Sequence, residues 1–168
     1  LELLPTGEDG LILIGGPQIM KGYLKMPEKT AEVIELIDGY RWYRSGDKGH
    51  LDEDGFLTIV DRYSRFAKIG GEMISLTTVE EEILDACNEK DLEIAATCLP
   101  DQRKGEKIVL LSTNNLDKNK LTKQLSDAQV NPLYHPAQVL IVEEIPKLGS
   151  GKTDFGATKK IALVNEQK

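Results

Sequence analysis

The sequence predicts an α+β fold: a β-rich segment, then a small domain with a roughly three-stranded sheet, a β-hairpin and three helices. Three observations predict it. Residues 1–62 carry short apolar runs punctuated by Gly and Asp-Gly, which is strand-and-turn patterning. From residue 66 onward, apolar runs of strand length alternate with segments of helical period. Between them, "DRYSR" (61–65) has no apolar period. The expected division is therefore 1–62, a hinge at 63–65, and 66–168.

The elements follow in order. "GEDGLILIGG" is a turn and a short apolar strand, Leu11 to Ile14. In "KMPEKTAEVIELI" Pro27 comes near the start and is followed by Ala31, Val33, Ile34 and Ile37, a short helix. "GHLDEDGFLTIVDR" is a hairpin: strand Lys48 to Leu51, turn at Asp54-Gly55, strand Phe56 to Val60. "FAKIGGEMISL" reads as two short strands around Gly70-Gly71. "TTVEEEILDACNEK" puts Val79, Ile83, Ala86 and Cys87 on one helical face, and Thr77 with Glu80 matches a capping box. "LEIAATCLP" and "KIVLLST" are strands. "DKNKLTKQLSDA" is amphipathic on Leu121, Leu125 and Ala128. "AQVLIVEEIP" is a third strand ending at Pro146. The tail from Asp154 is a weaker helix, since Gly156 lies inside it.

Composition excludes some functions. The net charge of −7 argues against binding by phosphate neutralisation, so no nucleic-acid partner is expected. Cys87 and Cys98 have neither a second pair nor a zinc spacing; they read as half-buried thiols in a reducing cytosol. No apolar run approaches the ~20 residues of a membrane span, and no signal peptide is expected. Leu1 stands inside a strand-like segment, as expected of a piece of a longer protein.

The candidates for chemistry are few. "GSGKT" (149–153) ends like a Walker loop, but the first glycine of that pattern falls on Pro146, which has no N–H to offer a phosphate. What remains is a glycine-flanked loop, stiffened at its entry, that presents Lys152 as a mobile cation. Asp47 in "YRSGDKG" is either a turn residue or a carboxylate that accepts two sugar hydroxyls. Arg62 is a surface arginine or a phosphate or ribose contact. Gly70-Gly71 make a tight turn or leave room for something narrow. Glu80, Glu81 and Glu82 read as a first-turn complement to a helix dipole; consecutive helical positions do not converge, and no metal site is expected. His50 and His135 are isolated, and His135 reads as a loop residue.

The order and spacing of four stretches say more. "GPQIMKGYLKMPEKT", "YRSGDKGHLDEDGFLTIVDR", "AKIGGEMISLTTVEE" and "PKLGSGK" together resemble the C-terminal motifs of the adenylate-forming superfamily. That superfamily holds acyl- and aryl-CoA synthetases, peptide-synthetase adenylation domains and luciferases. "RFAKIGGEMISL", "LLSTNN" and "LGSGKTDF" further resemble its branch of acyl-[acyl-carrier-protein] synthetases fused to a lysophospholipid acyltransferase.

The resemblance implies that residues 1–62 end a large N-terminal domain and that 66–168 form a lid. An acid and ATP with Mg2+ would give acyl-AMP; the lid would then turn, and a thiol would take the acyl group. The implied partners are a fatty acid, an acyl carrier protein or CoA, and the missing N-terminal domain. By motif, Asp47 would hold the ribose hydroxyls and Arg62 the nucleotide. Lys152 would bridge the carboxylate and the α-phosphate. Ser64 falls on the hinge, where many members have Asp or Lys, and Gly70 and Gly71 match the loop lining the pantetheine tunnel. Lys68, Arg65, Arg103 and Lys104 are candidates for a patch that steers an acidic carrier protein. The implied location is the cytoplasmic side, with any inner-membrane attachment outside these residues. The family's phosphate loop and acyl pocket have no counterpart in this sequence, so these residues alone are expected to be inactive. The rivals are a carrier-binding module without chemistry, a GSGKT hydrolase, and an acyl-CoA synthetase.

Overall fold

A computed structural model describes residues 2–89 and 91–166. The chain divides into two compact units, Leu1–Ser64 and Arg65–Lys168, and each is considered by itself.

The first unit is a four-stranded antiparallel sheet built around one long strand. Its elements are β1 (Gly10–Gly15), α1 (Pro27–Val33), β2 (Ile34–Ile37), β3 (Tyr40–Leu51) and β4 (Leu57–Arg62). β3 pairs with all three other strands. Ile34 and Ile37, expected on the helix, belong to β2. Asp38 and Gly39 have φ of 52° and 80°, the two positive values of a primed hairpin turn, and this turn folds β2 back on Tyr40–Tyr43. Pairing with β3 thus takes the last turn of the expected helix. β3 is also longer than the expected Lys48–Leu51, because β1 and β2 extend its ladder back to Tyr40. Only Ser45 and Gly49 are buried among the described residues of this unit. Leu24, Leu36, Tyr40, Phe56 and Ile59 are each exposed by 60% or more.

The second unit has a closed core. Its elements are β5 (Phe66–Ile69), β6 (Glu72–Ser75), α2 (Leu76–Cys87), β7 (Ile94–Asp101), β8 (Gly105–Ser112), α3 (Lys118–Asp127), β9 (Gln138–Ile141) and α4 (Phe155–Glu166). β8 lies antiparallel to β7 and parallel to β9. The β5–β6 hairpin joins the sheet at one pairing, Ile69 with Gly105. The expected three strands and hairpin therefore make one five-stranded sheet. Both faces are covered, which explains the unbroken apolar run "IVLL". Ile108 and Leu110 join Val79, Ile83, Leu121 and Leu125 under α2 and α3. Val109 and Leu111 join Ala95, Leu99, Ile145 and Ala162 under α4.

Some local expectations change. α2 is capped by Ser75, whose hydroxyl accepts from the Thr78 N–H at 3.2 Å, not by Thr77 with Glu80. The helix therefore starts earlier, and Glu80–Glu82 fall in its second turn rather than its first. β9 ends at Ile141, not Pro146, because β8 has no partner left beyond Ser112. Cys87 and Cys98 are buried rather than half-buried, 8% and 6% exposed. Gly156 sits in the first turn of α4, where its lack of a side chain costs less than in a helix interior.

Candidate functional site

In the first unit the candidate residues Asp47 and Arg62 come together where β3 meets β4. Asp47 and Arg62 are register partners, and Arg62 Nε donates to Asp47 Oδ1 at 2.8 Å. Arg62 also donates to the Ser45 carbonyl at 3.4 Å. The Ser45 hydroxyl donates to the Ile12 carbonyl at 2.9 Å and accepts the Asp47 N–H at 3.0 Å. Gly46 has φ of 78°, a value glycine takes without steric cost. "SGD" is therefore one device: the serine ties the bend to β1, the glycine makes it, and the aspartate leaves it aimed at Arg62. Asp47 is a strand residue, not the turn residue of the plainer reading. Its second carboxylate oxygen makes no hydrogen bond with the described residues. The hydrogen bond and charge of Asp47 hold the Arg62 guanidinium above its ordinary pKa.

Sequence reasoning missed two neighbours. The Tyr43 phenol lies beside that of Tyr23 and feels the charges of Arg62 and Asp47, and Tyr23 is the main cause that pushes its pKa up. Lys29 Nζ lies 4.7 Å from the Tyr23 ring centroid. The signal for both tyrosines was their place in the "KGYLK" and "RWYRSGD" stretches.

In the second unit Lys152 stands on a hairpin. Gly151 N–H donates to the Leu148 carbonyl at 2.8 Å, and Leu148 N–H to the Lys152 carbonyl at 2.7 Å. Gly151 has φ of 82°, which completes a three-residue hairpin loop with its left-handed glycine. Lys147 pairs with Thr153 across the base. Asp154 N–H then donates to the Pro146 carbonyl at 2.8 Å. The Asp154 carboxylate caps α4 by accepting from Ala157 N–H at 2.9 Å. This arrangement is not a phosphate cradle: the lysine is on a hairpin arm, and a carboxylate already occupies the helix N-terminus. Lys152 is exposed, and its ammonium has no partner among the described residues.

Gly70 and Gly71 form the tip of the β5–β6 hairpin with φ of 61° and 94°. A Cβ at either would meet nothing within 4 Å, so here the backbone turn demands glycine and no neighbour in the chain does. Gly70 N–H donates to the Lys104 carbonyl at 2.8 Å, which ties this tip to the β7–β8 turn. Ser64 is exposed in a single 3₁₀ turn, Tyr63–Arg65.

Of the expected steering patch, Arg103 and Lys104 line one cleft of about 170 Å3 with Ile69, Lys107 and His135, and Lys68 is exposed. Arg65 does not belong to it: it is 4% exposed and ion-paired with Glu80 at 2.6 Å. Burial and a hydrogen bond to Glu106 push the Cys98 thiol up to about 11, so it is no nucleophile. Among the described residues, no group of three or more His, Cys, Asp or Glu side chains gathers as a metal site. No described helix is long and apolar enough to cross a membrane.

No protein-family profile matches the chain. It is 36% identical over 155 residues to the 2-succinylbenzoate–CoA ligase of Listeria monocytogenes, covering 91% of this chain and 32% of that protein. It is 34% identical over 168 residues to a feruloyl-CoA synthase of an Amycolatopsis species, covering 95% and 32%. With the long-chain-fatty-acid–CoA ligase of Bacillus subtilis the identity is 35% over 155 residues, covering 90% and 26%. The chain thus spans about a third or less of the curated relatives it matches. Among solved structures, ATP-bound MatB from Rhodopseudomonas palustris superposes with a TM-score of 0.75 at 26% identity, covering 94% of this chain and 31% of that one. MenE of Bacillus subtilis, holding its acyl-adenylate intermediate, superposes at 0.68 and 25% identity, covering 89% and 30%. Sequence and fold agree on one kinship: the homologues of this chain are acyl- and aryl-CoA ligases, and its structural neighbours are adenylate-forming enzymes.

Proposed function

We propose that the chain is the C-terminal portion of an AMP-forming acid–thiol ligase that activates a fatty acid with ATP and passes it to a phosphopantetheine thiol. In this reading residues 1–62 end the large domain, 66–168 are the lid, and Ser64 is the hinge. The observation that carries it is Lys152, an exposed ammonium with no partner among the described residues, on the arm of a tight hairpin. A carboxylate and a triphosphate repel each other. A cation within ~4 Å of both contributes about 4 kcal/mol per pair at an effective dielectric near 20, before desolvation. Asp47, with one oxygen on Arg62 and the other without a hydrogen bond among the described residues, is arranged to accept ribose hydroxyls. Arg62, held cationic, suits a nucleotide. Gly70 and Gly71, open at a hairpin tip, would let pantetheine pass. Mg2+ would travel with ATP, and no described cluster is built to hold it alone.

The acceptor divides two readings. "RFAKIGGEMISL" and "LGSGKTDF" favour an acyl carrier protein, in a chain that also carries a lysophospholipid acyltransferase on the cytoplasmic side of the inner membrane. The relatives' names favour CoA. Loading assays on the full-length protein with each thiol distinguish them. The decisive variant is Lys152→Ala in the full-length protein. ATP–pyrophosphate exchange should fall by roughly 10²–10³, while thioester formation from supplied acyl-AMP should fall far less. Equal loss in both steps would reject this role for Lys152. The 168 residues alone should make no acyl-AMP.

A further inference from the structure

Arg65 is the first residue of the second unit, and its guanidinium touches three further elements. One amino group donates to the Ala96 carbonyl on β7 at 2.8 Å. The other meets Glu80 on α2 at 2.6 Å, and Glu80 also accepts the Ala96 N–H at 2.6 Å. The guanidinium carbon lies 3.7 Å from the centroid of the Phe155 ring at the start of α4. Only a planar fork can donate in two directions while stacking face-on, and lysine cannot.

Phe155 is three residues beyond Lys152. The loop between has two anchored arms. On one, Ile145 is buried in the cluster that also holds Ala162 of α4. On the other, Asp154 bonds back to Pro146 and is followed directly by Phe155. The ring is 39% exposed and belongs to neither buried cluster, and its face meets the Arg65 cation. A buried ion pair is a poor source of net stability compared with apolar filling. What this one supplies is geometry: it joins the second unit's first residue, Arg65, to the base of the lysine hairpin.

We infer that Arg65 is a positioning residue, which locks the Lys152 hairpin through Phe155 to the entry of the second unit, so that loop and entry move as one body. The inference rests on the adenylation reading above for its effect on rate, but not for its effect on loop mobility. The test uses the full-length protein with Phe155→Leu, which stays apolar but lacks the ring, Phe155→Tyr, which keeps the stack, and Arg65→Lys. Phe155→Leu should lower the adenylation kcat by about 10-fold with KM for ATP changed less than about 3-fold, and thioester formation from supplied acyl-AMP should stay within about 3-fold. Amide exchange at Leu148, Gly151 and Asp154 should accelerate by about 10-fold, with β7 and β8 unchanged. Phe155→Tyr should behave as wild type, and Arg65→Lys should show the Phe155→Leu pattern more strongly. Wild-type exchange in Phe155→Leu would overturn the coupling, as would equal loss of both half-reactions alongside loss of folded protein. If the unmutated protein makes no acyl-AMP, the adenylation reading falls, and amide exchange alone still decides the coupling.

Discussion

Arg62 Nε and Asp47 Oδ1 lie 2.8 Å apart between register partners on adjacent strands, and the arginine side chain is 62% exposed. Such a pair adds at most about 1 kcal/mol to stability, so its effect should appear in binding. Asp47→Asn in the full-length protein should leave the melting temperature within a few degrees. It should raise KM for ATP by about 10-fold, as expected when a hydrogen bond to a charged group is weakened. Steady-state exchange kinetics and a thermal melt check both halves.

The lysine loop makes a sharp distinction between its glycines. Gly151 has φ of 82°, while Gly149 is not left-handed and a Cβ there meets nothing within 4 Å. Gly151→Ala should cost about 1–2 kcal/mol of strain, felt locally in the hairpin. Gly149→Ala should be neutral or stabilise by up to about 1 kcal/mol through the unfolded chain. Denaturant titrations of the two variants give the comparison.

The cap of α2 can be tested against the one expected from sequence. Ser75→Ala should destabilise by about 1 kcal/mol, because the Thr78 N–H loses its acceptor. Thr77→Ala should change stability by less than about 0.5 kcal/mol, because alanine is the better helix former. The reverse order would restore the Thr77–Glu80 box.

Cys98 should make stability fall with alkalinity. Its folded pKa is raised from 9.0 to about 11 by burial first and Glu106 second. The unfolded thiol therefore loses its proton before the folded one does. The contribution is intact below pH 9 and is lost between pH 9 and about 11. Lysines and tyrosines titrate in the same window, so the measurement is the difference in slope of melting temperature against pH between wild type and Cys98→Ala. The variant should be the flatter of the two.

The covered sheet was the easiest part to read. "IVLL" and "IAATCL" are apolar on both faces, and that pattern survives any local context. Ile34 and Ile37 misled because the Asp38-Gly39 turn was passed over, and with it the hairpin that recruits them into β2. The motifs pointed to Asp47, Arg62 and Lys152 as candidates, and the structure pairs the first two and accounts for the serine and glycine beside Asp47. Arg65 was beyond reach. Its charge suggests a surface, and its burial depends on Glu80, Ala96 and Phe155, up to ninety residues away in the chain. The Tyr23–Tyr43 pair was hidden for the same reason, since no local pattern announces that two loops or strands will meet.

The uneven distribution of interior between the two units bears on how the protein can be handled. A recombinant piece cut at Arg65 keeps the two buried clusters on either side of its sheet, and it should stay dispersed better than a longer piece. A piece that retains the first unit carries Leu24, Leu36, Phe56 and Ile59 bare to water, and it should clump unless whatever normally shields them is expressed alongside.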